Sequence, residues 1–204
     1  MKTPSSLLAG LAFCLVCIAS GPVRAQAVVT ACGTDVASGG MNLRSAVASG
    51  GKITFECGAA AAQIAISAPL TVTAPTQVDG DKKITLVGPA GGPMFNNSST
   101  LTLSRITVLN SAPGGTGIIR GRQGEVVLHD VRTAGTSNAY VALTLRADAS
   151  IFSGNGVKGG GAGVIIDAER IQLARVVFNR NVDHPVGGGD CRPLGASRLV
   201  VHLR

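Results

Sequence analysis

The sequence predicts an all-β chain wound as a three-sided parallel β-helix, with a short helix at its N-terminal end. Three observations predict it. First, IQLARVVFNRN (171–181) alternates apolar and polar residues, slips at Ala174-Arg175, and resumes the alternation one step late at Val176 and Phe178. A flat strand cannot absorb that slip without turning its apolar face to water, so the slip reads as a corner between two short strands. Second, the same form recurs in LTLSRITVLNS (101–111), VVLHDVRTAGT (126–136) and, more weakly, LRADASIFSGN (145–155), and LVVHLR (199–204) begins another copy. Third, apolar positions form two ladders that keep step. One runs Leu86, Leu103, Leu128, Ala147, Leu173 and Val201; the other runs Phe55, Val78, Phe95, Ile119, Val141 and Ile165. A repeat of about 23 residues with variable insertions is the signature of a solenoid. The strand after the corner supplies a third ladder, Ile106/Val108, Val131, Ser150/Phe152 and Val176/Phe178. A β-sandwich or an up-and-down barrel would need longer strands and has no reason to keep two ladders in lockstep.

Taken in order, residues 1–25 read as a secretory signal: Lys2, an apolar run from Leu7 to Ala19, and Val23-Arg24-Ala25 before Gln26. A membrane anchor would need a longer apolar run, and neither Cys14 nor Cys17 follows the small residues of a lipoprotein site. Residues 26–52 form an N-terminal cap, and 53–204 form the β-helix, in about six coils. Export permits disulfides. Of the three cysteines outside the signal, Cys32 and Cys57 flank the cap and are the expected pair, contributing about 3 kcal/mol; Cys191 is left over. MNLRSAVAS (41–49) is the one helix candidate: Asn42 caps it, Leu43, Ala46 and Val47 share a face, and Gly50-Gly51 ends it. Short strands follow, separated by Gly, Pro and Asn turns. Asn155 and Asn181 stand where stacked turns exchange side-chain hydrogen bonds. The last strand pair stops at Arg204, so the C-terminal end is expected to be uncapped or truncated, with an exposed coil edge open to pairing with another chain.

The chain carries 18 basic and 11 acidic side chains; without Lys2 and Arg24 the balance is +5. With no Trp, one Tyr and no basic stripe, the pattern does not fit nucleic-acid binding. It allows a basic face for polysaccharide or cell-envelope glycan.

Cys32-Gly33, LRSAVASGGKITFECG (43–58), APTQVDG (74–80), ITLVG (84–88) and LTLSRITVLN (101–110) together resemble secreted bacterial right-handed parallel β-helix repeat proteins of the pectate-lyase-like superfamily. The resemblance spans nearly the whole chain beyond the signal. It implies a right-handed coil with a helix capping the first turn. For activity it implies either no reaction, or a polysaccharide lyase that uses clustered aspartates for calcium and an Arg or Lys as base, or an inverting hydrolase with two carboxylates about 6.5–9.5 Å apart.

Two clusters could carry such chemistry. Asp79-Gly80-Asp81-Lys82-Lys83 is the strongest, although Asp-Gly also marks a plain turn after a strand. No third carboxylate completes a calcium site there, so calcium belongs only to the lyase reading. In the second cluster Arg105, Asp130 and Arg175 occupy equivalent corner slots, with His129 beside Asp130. Arg105 and Asp130 should be neighbours on successive coils, as an exposed ion pair or as part of a lyase site. The catalytic candidates are therefore Asp79, Asp81, Arg105 and Asp130. His184 and His202 lack partners at metal-ligand spacing, and the glycine runs 159–161 and 187–189 lack the Lys-Ser/Thr ending of a phosphate loop. The sequence leads to an exported, non-catalytic scaffold that binds glycans along a flat face. The alternatives are a polysaccharide lyase or hydrolase, and a gene remnant without activity of its own.

Overall fold

A computed structural model describes residues 26–89, 92–110, 117–135, 138–155, 164–179, 181 and 199–203. The expected leader, with Cys14 and Cys17, lies outside the described residues, as do His184, Cys191 and both glycine runs.

The chain enters on β1 (Gln26–Val29) and turns into α1 (Leu43–Ser49). Local chemistry sets both ends of that helix. The Asn42 side chain accepts the Ser45 N–H at 2.9 Å, and Gly50 closes the C-terminus at φ 68°, where a side chain would be strained. Leu43, Ala46 and Val47 are buried, and they seal the end of the core against β1, β2 (Gly51–Phe55) and β4 (Leu70–Val72). The strands between and after are β3 (Ala62–Ala65), β5 (Thr76–Asp79), β6 (Ile84–Val87) and β7 (Phe95–Asn97). Then come β8 (Thr100–Asn110), β9 (Ile119–Gly135), β10 (Asn138–Asp148), β11 (Ile151–Asn155), β12 (Val164–Ala174), β13 (Val177–Asn179) and β14 (Leu199–Leu203).

Among the described residues every strand pairing is parallel, and the strands wind into a β-solenoid. Strand pairs one turn apart build three stacks, and the inward residues of each form a row. The first stack holds Ile53, Val78, Leu103, Leu128, Ala147 and Leu173. The second holds Ile64, Leu86, Val108, Thr133, Phe152 and Phe178. The third holds Leu70, Phe95, Ile119, Tyr140 and Ile166, and Val201 stands opposite Ile166 in register. Most of these side chains are fully buried, whereas Leu173, in register with Ala147, is 38% exposed. Burial on this scale, at about 25 cal/mol per Å² of apolar surface, is the main force holding the coil.

Six positions differ from the expected ladders; one is Phe55, which lies on β2 beside Val29 and does not precede Phe95. Leu86 belongs to the second stack, between Ile64 and Val108, and Val78 takes the place before Leu103 in the first. Val201 continues the third stack, beside Ile166, and does not follow Leu173. Tyr140 and Ile166 hold the register opposite Ile119 that Val141 and Ile165 were expected to hold. In both YVA and VII each neighbour is apolar, so alternation alone leaves the phase free by one residue. The strand partner removes that freedom, and it buries the larger Tyr140 ring. Burial pushes the Tyr140 hydroxyl pKa up, with the neighbouring Thr133 side chain acting in the opposite sense. The ring meets Phe152 edge-on at 5.6 Å, and Phe152 stacks on Phe178 at 5.0 Å.

Side-chain bridges between turns complete the frame. Asn181 donates to the Phe152 carbonyl at 2.9 Å, in the role expected for it. Buried Asn97 donates to the Glu125 carbonyl at 3.0 Å and accepts the Ser99 N–H at 3.1 Å. Gly121 passes so close that a Cβ there would stand 1.6 Å from the Asn97 carbonyl oxygen. Cys32 and Cys57 form a disulfide, with Cα atoms 5.8 Å apart.

Candidate functional site

The slip in the repeated motif is a left-handed corner. Arg105, Asp130, Ala149 and Arg175 all have φ between 49° and 52°. A single left-handed residue turns the chain sharply and lets strand pairing resume on the next face, at a cost of about 1–2 kcal/mol for a residue with a Cβ. One turn earlier the corner is built from Gly80, Asp81 and Lys82, of which Asp81 and Lys82 are at positive φ. Glycine is required at that point: a Cβ would stand 2.8 Å from Ile106 and 3.0 Å from the Arg105 carbonyl oxygen.

This construction gathers charges along one edge. Arg105 reaches back one turn. Its Nε and Nη2 donate to the two Asp79 carboxylate oxygens at 2.9 and 2.6 Å, and its Nη1 donates to Asp81 at 2.9 Å. Burial raises the Asp79 pKa, but the Arg105 hydrogen bonds, the Asp81 N–H and the charges of Arg105 and Lys52 outweigh it, leaving the carboxyl below its ordinary value. The hydrogen bond to Asp79 in turn lifts Arg105 above its ordinary value. Lys82 pairs with Asp130 at 2.8 Å. Further along, Asp148 accepts from Arg175 at 2.5 Å and lies 3.4 Å from His129 Nδ1.

The sequence candidates Asp79, Asp81 and Arg105 thus meet in one network. Asp130 stands apart from it, because the expected Arg105–Asp130 ion pair does not form. Both residues occupy the corner on successive turns, yet each side chain is drawn to an opposite charge on the 79–82 turn. Among the described residues no group of three His, Cys, Asp or Glu side chains could hold a metal ion.

Beside the corner lies the outer face of the first stack. Its central row is Gln26, Lys52, Gln77, Thr102, Val127, Arg146 and Gln172. Successive side chains stand one strand spacing apart, about 4.8 Å. Glu125, one row over, pairs with Arg146 at 3.2 Å. A shallow depression of about 310 Å³ opens on this face between Lys52, Thr76, Gln77, Thr100 and Thr102. The second stack presents a different outer surface. There Ala65, Val87, Leu109 and Ala134 line one row, and Gln63, Thr85, Thr107, Arg132, Ile151 and Val177 line the other, with no carboxylate in either.

Sequence reasoning missed a buried charge in the cap. Asp35 is fully buried, binds Arg44, and accepts the Ser67 N–H at 2.8 Å. Arg44 also donates to the carbonyls of Ala68 and Pro69 at 2.7 and 3.1 Å. Its only sequence signal was a lone Asp in a Gly-rich turn, which reads as solvent-facing. Lys52 gave a weaker signal still, as one polar residue in an alternating strand.

No family model matches the chain, no curated protein matches it, and no solved structure matches it. No helix among the described residues is long and apolar enough to cross a membrane.

Proposed function

We propose that the chain is an exported right-handed β-helix of the pectate-lyase-like kind, a non-catalytic scaffold that binds glycans along the outer face of the first stack. The observation that carries this reading is the row Lys52, Gln77, Thr102, Arg146 and Gln172, a line of hydrogen-bonding side chains at strand spacing broken once, at Val127. A polymer of hydroxylated rings offers donors and acceptors at regular intervals, and a solenoid face meets it with the same regularity. The Cys32–Cys57 disulfide supports an oxidising compartment, in keeping with the leader read from residues 1–25.

A lyase would need Arg105 or a neighbour to accept a proton. Arg105 is held charged by two Asp79 oxygens, which favours binding over elimination. The test is a glycan array probed with the wild type and with the triple variant Gln77→Ala, Thr102→Ala, Gln172→Ala. Binding by the wild type that falls at least tenfold in the variant supports the proposal. Uniformly blank spots, or equal binding by the variant, overturn it. Unsaturated products released from polygalacturonate or alginate in the presence of calcium would restore the lyase reading.

A further inference from the structure

A groove of about 260 Å³ opens where the outer face of the first stack meets the corner, beside the disulfide. Lys52, Thr54, Phe55, Gly58, Asp79 and Lys83 are among its walls. It is smaller than the about 300–1,000 Å³ of sites that enclose drug-sized ligands, so it suits one sugar residue better than a length of chain.

Its charges do not cancel internally. Three cations, Lys52, Lys83 and Arg105, face two carboxylates, Asp79 and Asp81. Arg105 already satisfies Asp79 and touches Asp81. Lys83 reaches Asp81 only at 3.9 Å, and Lys52 makes no ion pair among the described residues. Lys52, whose charge acts on Asp79 without forming an ion pair, and Lys83 are therefore the incompletely neutralised cations of the groove lining. Room is available as well: nothing lies within 4 Å of where a Cβ would stand on Gly58. Thr54 and the exposed Asp81 offer hydrogen-bond partners for hydroxyl groups, and the half-buried Phe55 offers an apolar surface for C–H groups.

We propose that this groove is a subsite for a single acidic sugar residue. Its anionic group sits between Lys52 and Lys83, and its hydroxyls meet Thr54 and Asp81. The anion is a carboxylate, a sulfate or a phosphate ester, since an ammonium pair recognises each by charge. The inference rests on the glycan-binding reading for the kind of polymer presented, and it adds a position at which that polymer must be charged.

The experiment is an amide chemical-shift titration of the intact protein with glucuronate, glucose 6-sulfate, glucose 6-phosphate, glucose and inorganic phosphate. At least one acidic sugar is expected to shift the amides around Lys52, Thr54 and Lys83, with glucose at least tenfold weaker and phosphate alone weaker than the acidic sugar. In the double variant Lys52→Gln, Lys83→Gln the shifts should vanish while the melting temperature stays within 2 °C. Comparison among the three acidic sugars identifies the anion. The proposal is overturned if glucose binds as well as the acidic sugars, if phosphate alone binds equally, or if the double variant binds as the wild type does. A flat titration beside a positive glycan array removes this subsite alone. A positive titration beside a blank array removes the extended face and leaves the subsite.

Discussion

The N-terminal cap and the left-handed corner both depend on opposite charges, and they use them differently. In the cap, Asp35 is fully buried, and its carboxylate binds Arg44 and the Ser67 N–H, fixing the 67–69 segment across the end of the core. At the corner, the Arg105, Asp81, Lys82 and Asp130 side chains are 38–70% exposed, so water and salt screen them. Burial gives each lost contact in the cap a large consequence. Exposure leaves the Lys82–Asp130 and Arg105–Asp81 pairs with about 1 kcal/mol or less, whereas Asp79, 13% exposed, is shielded on one side. The corner's geometry must therefore come from the stacked backbone and the core beneath it, with its charges free to vary from turn to turn.

That contrast can be broken at several points, beginning in the cap. Replacing Cys32 and Cys57 together by Ala should cost about 3.5 kcal/mol, from loop closure across a separation of 25 residues. Urea unfolding of the variant under non-reducing conditions measures it. Asp35→Ala should cost about 3 kcal/mol, because it strands Arg44 and the Ser67 N–H in a water-poor site. A midpoint unchanged in urea would show that the cap is not a cooperative part of the fold.

The corner effects are smaller. Asp79→Asn should cost about 1 kcal/mol at neutral pH and should remove one acid-sensitive step. The folded Asp79 titrates below its ordinary value of 3.8, so its contribution is complete above that value and is lost as pH falls through the lower folded value. Stability curves of wild type and variant should therefore converge in strong acid. Smallest is a gain: Ala149→Gly removes left-handed strain where the side chain is a bare methyl, and should stabilise by about 0.5–1 kcal/mol. Arg105→Gly relieves the same strain but gives up both Asp79 hydrogen bonds, so it should show no gain. Equal gains in the two variants would mean that the Arg105 clamp adds nothing to the fold.

Much of the architecture was legible because it is written in short-range pattern. The corner at Ser104-Arg105 recurs at His129-Asp130, Asp148-Ala149 and Ala174-Arg175, each at positive φ, and each was marked by the same slip in alternation. The site was less legible. Asp79, Asp81 and Arg105 could be named from type and spacing, but the partner of Arg105 could not. A corner residue has neighbours on the turns before and after it, and only the packed side chains decide which it touches. Asp35 was invisible for a related reason: a lone carboxylate gains its meaning from the Arg44 that folding brings to it.

Local chemistry alone determined the helix at Leu43–Ser49 and the corners, because capping and a slip in alternation act over a few residues and need no distant partner; the parallel winding was legible through the repetition of that slip. Tertiary structure decided the rest. It chose Tyr140 over Val141 and Ile166 over Ile165 for the third row, placed Leu86 and Val201 in stacks other than the expected one, and paired Arg105 with Asp79. Each of those choices compares two adjacent residues, two turns or two charges that are equivalent in sequence. They become unequal only when the register with a neighbouring strand sets which of them stands opposite a residue already in place.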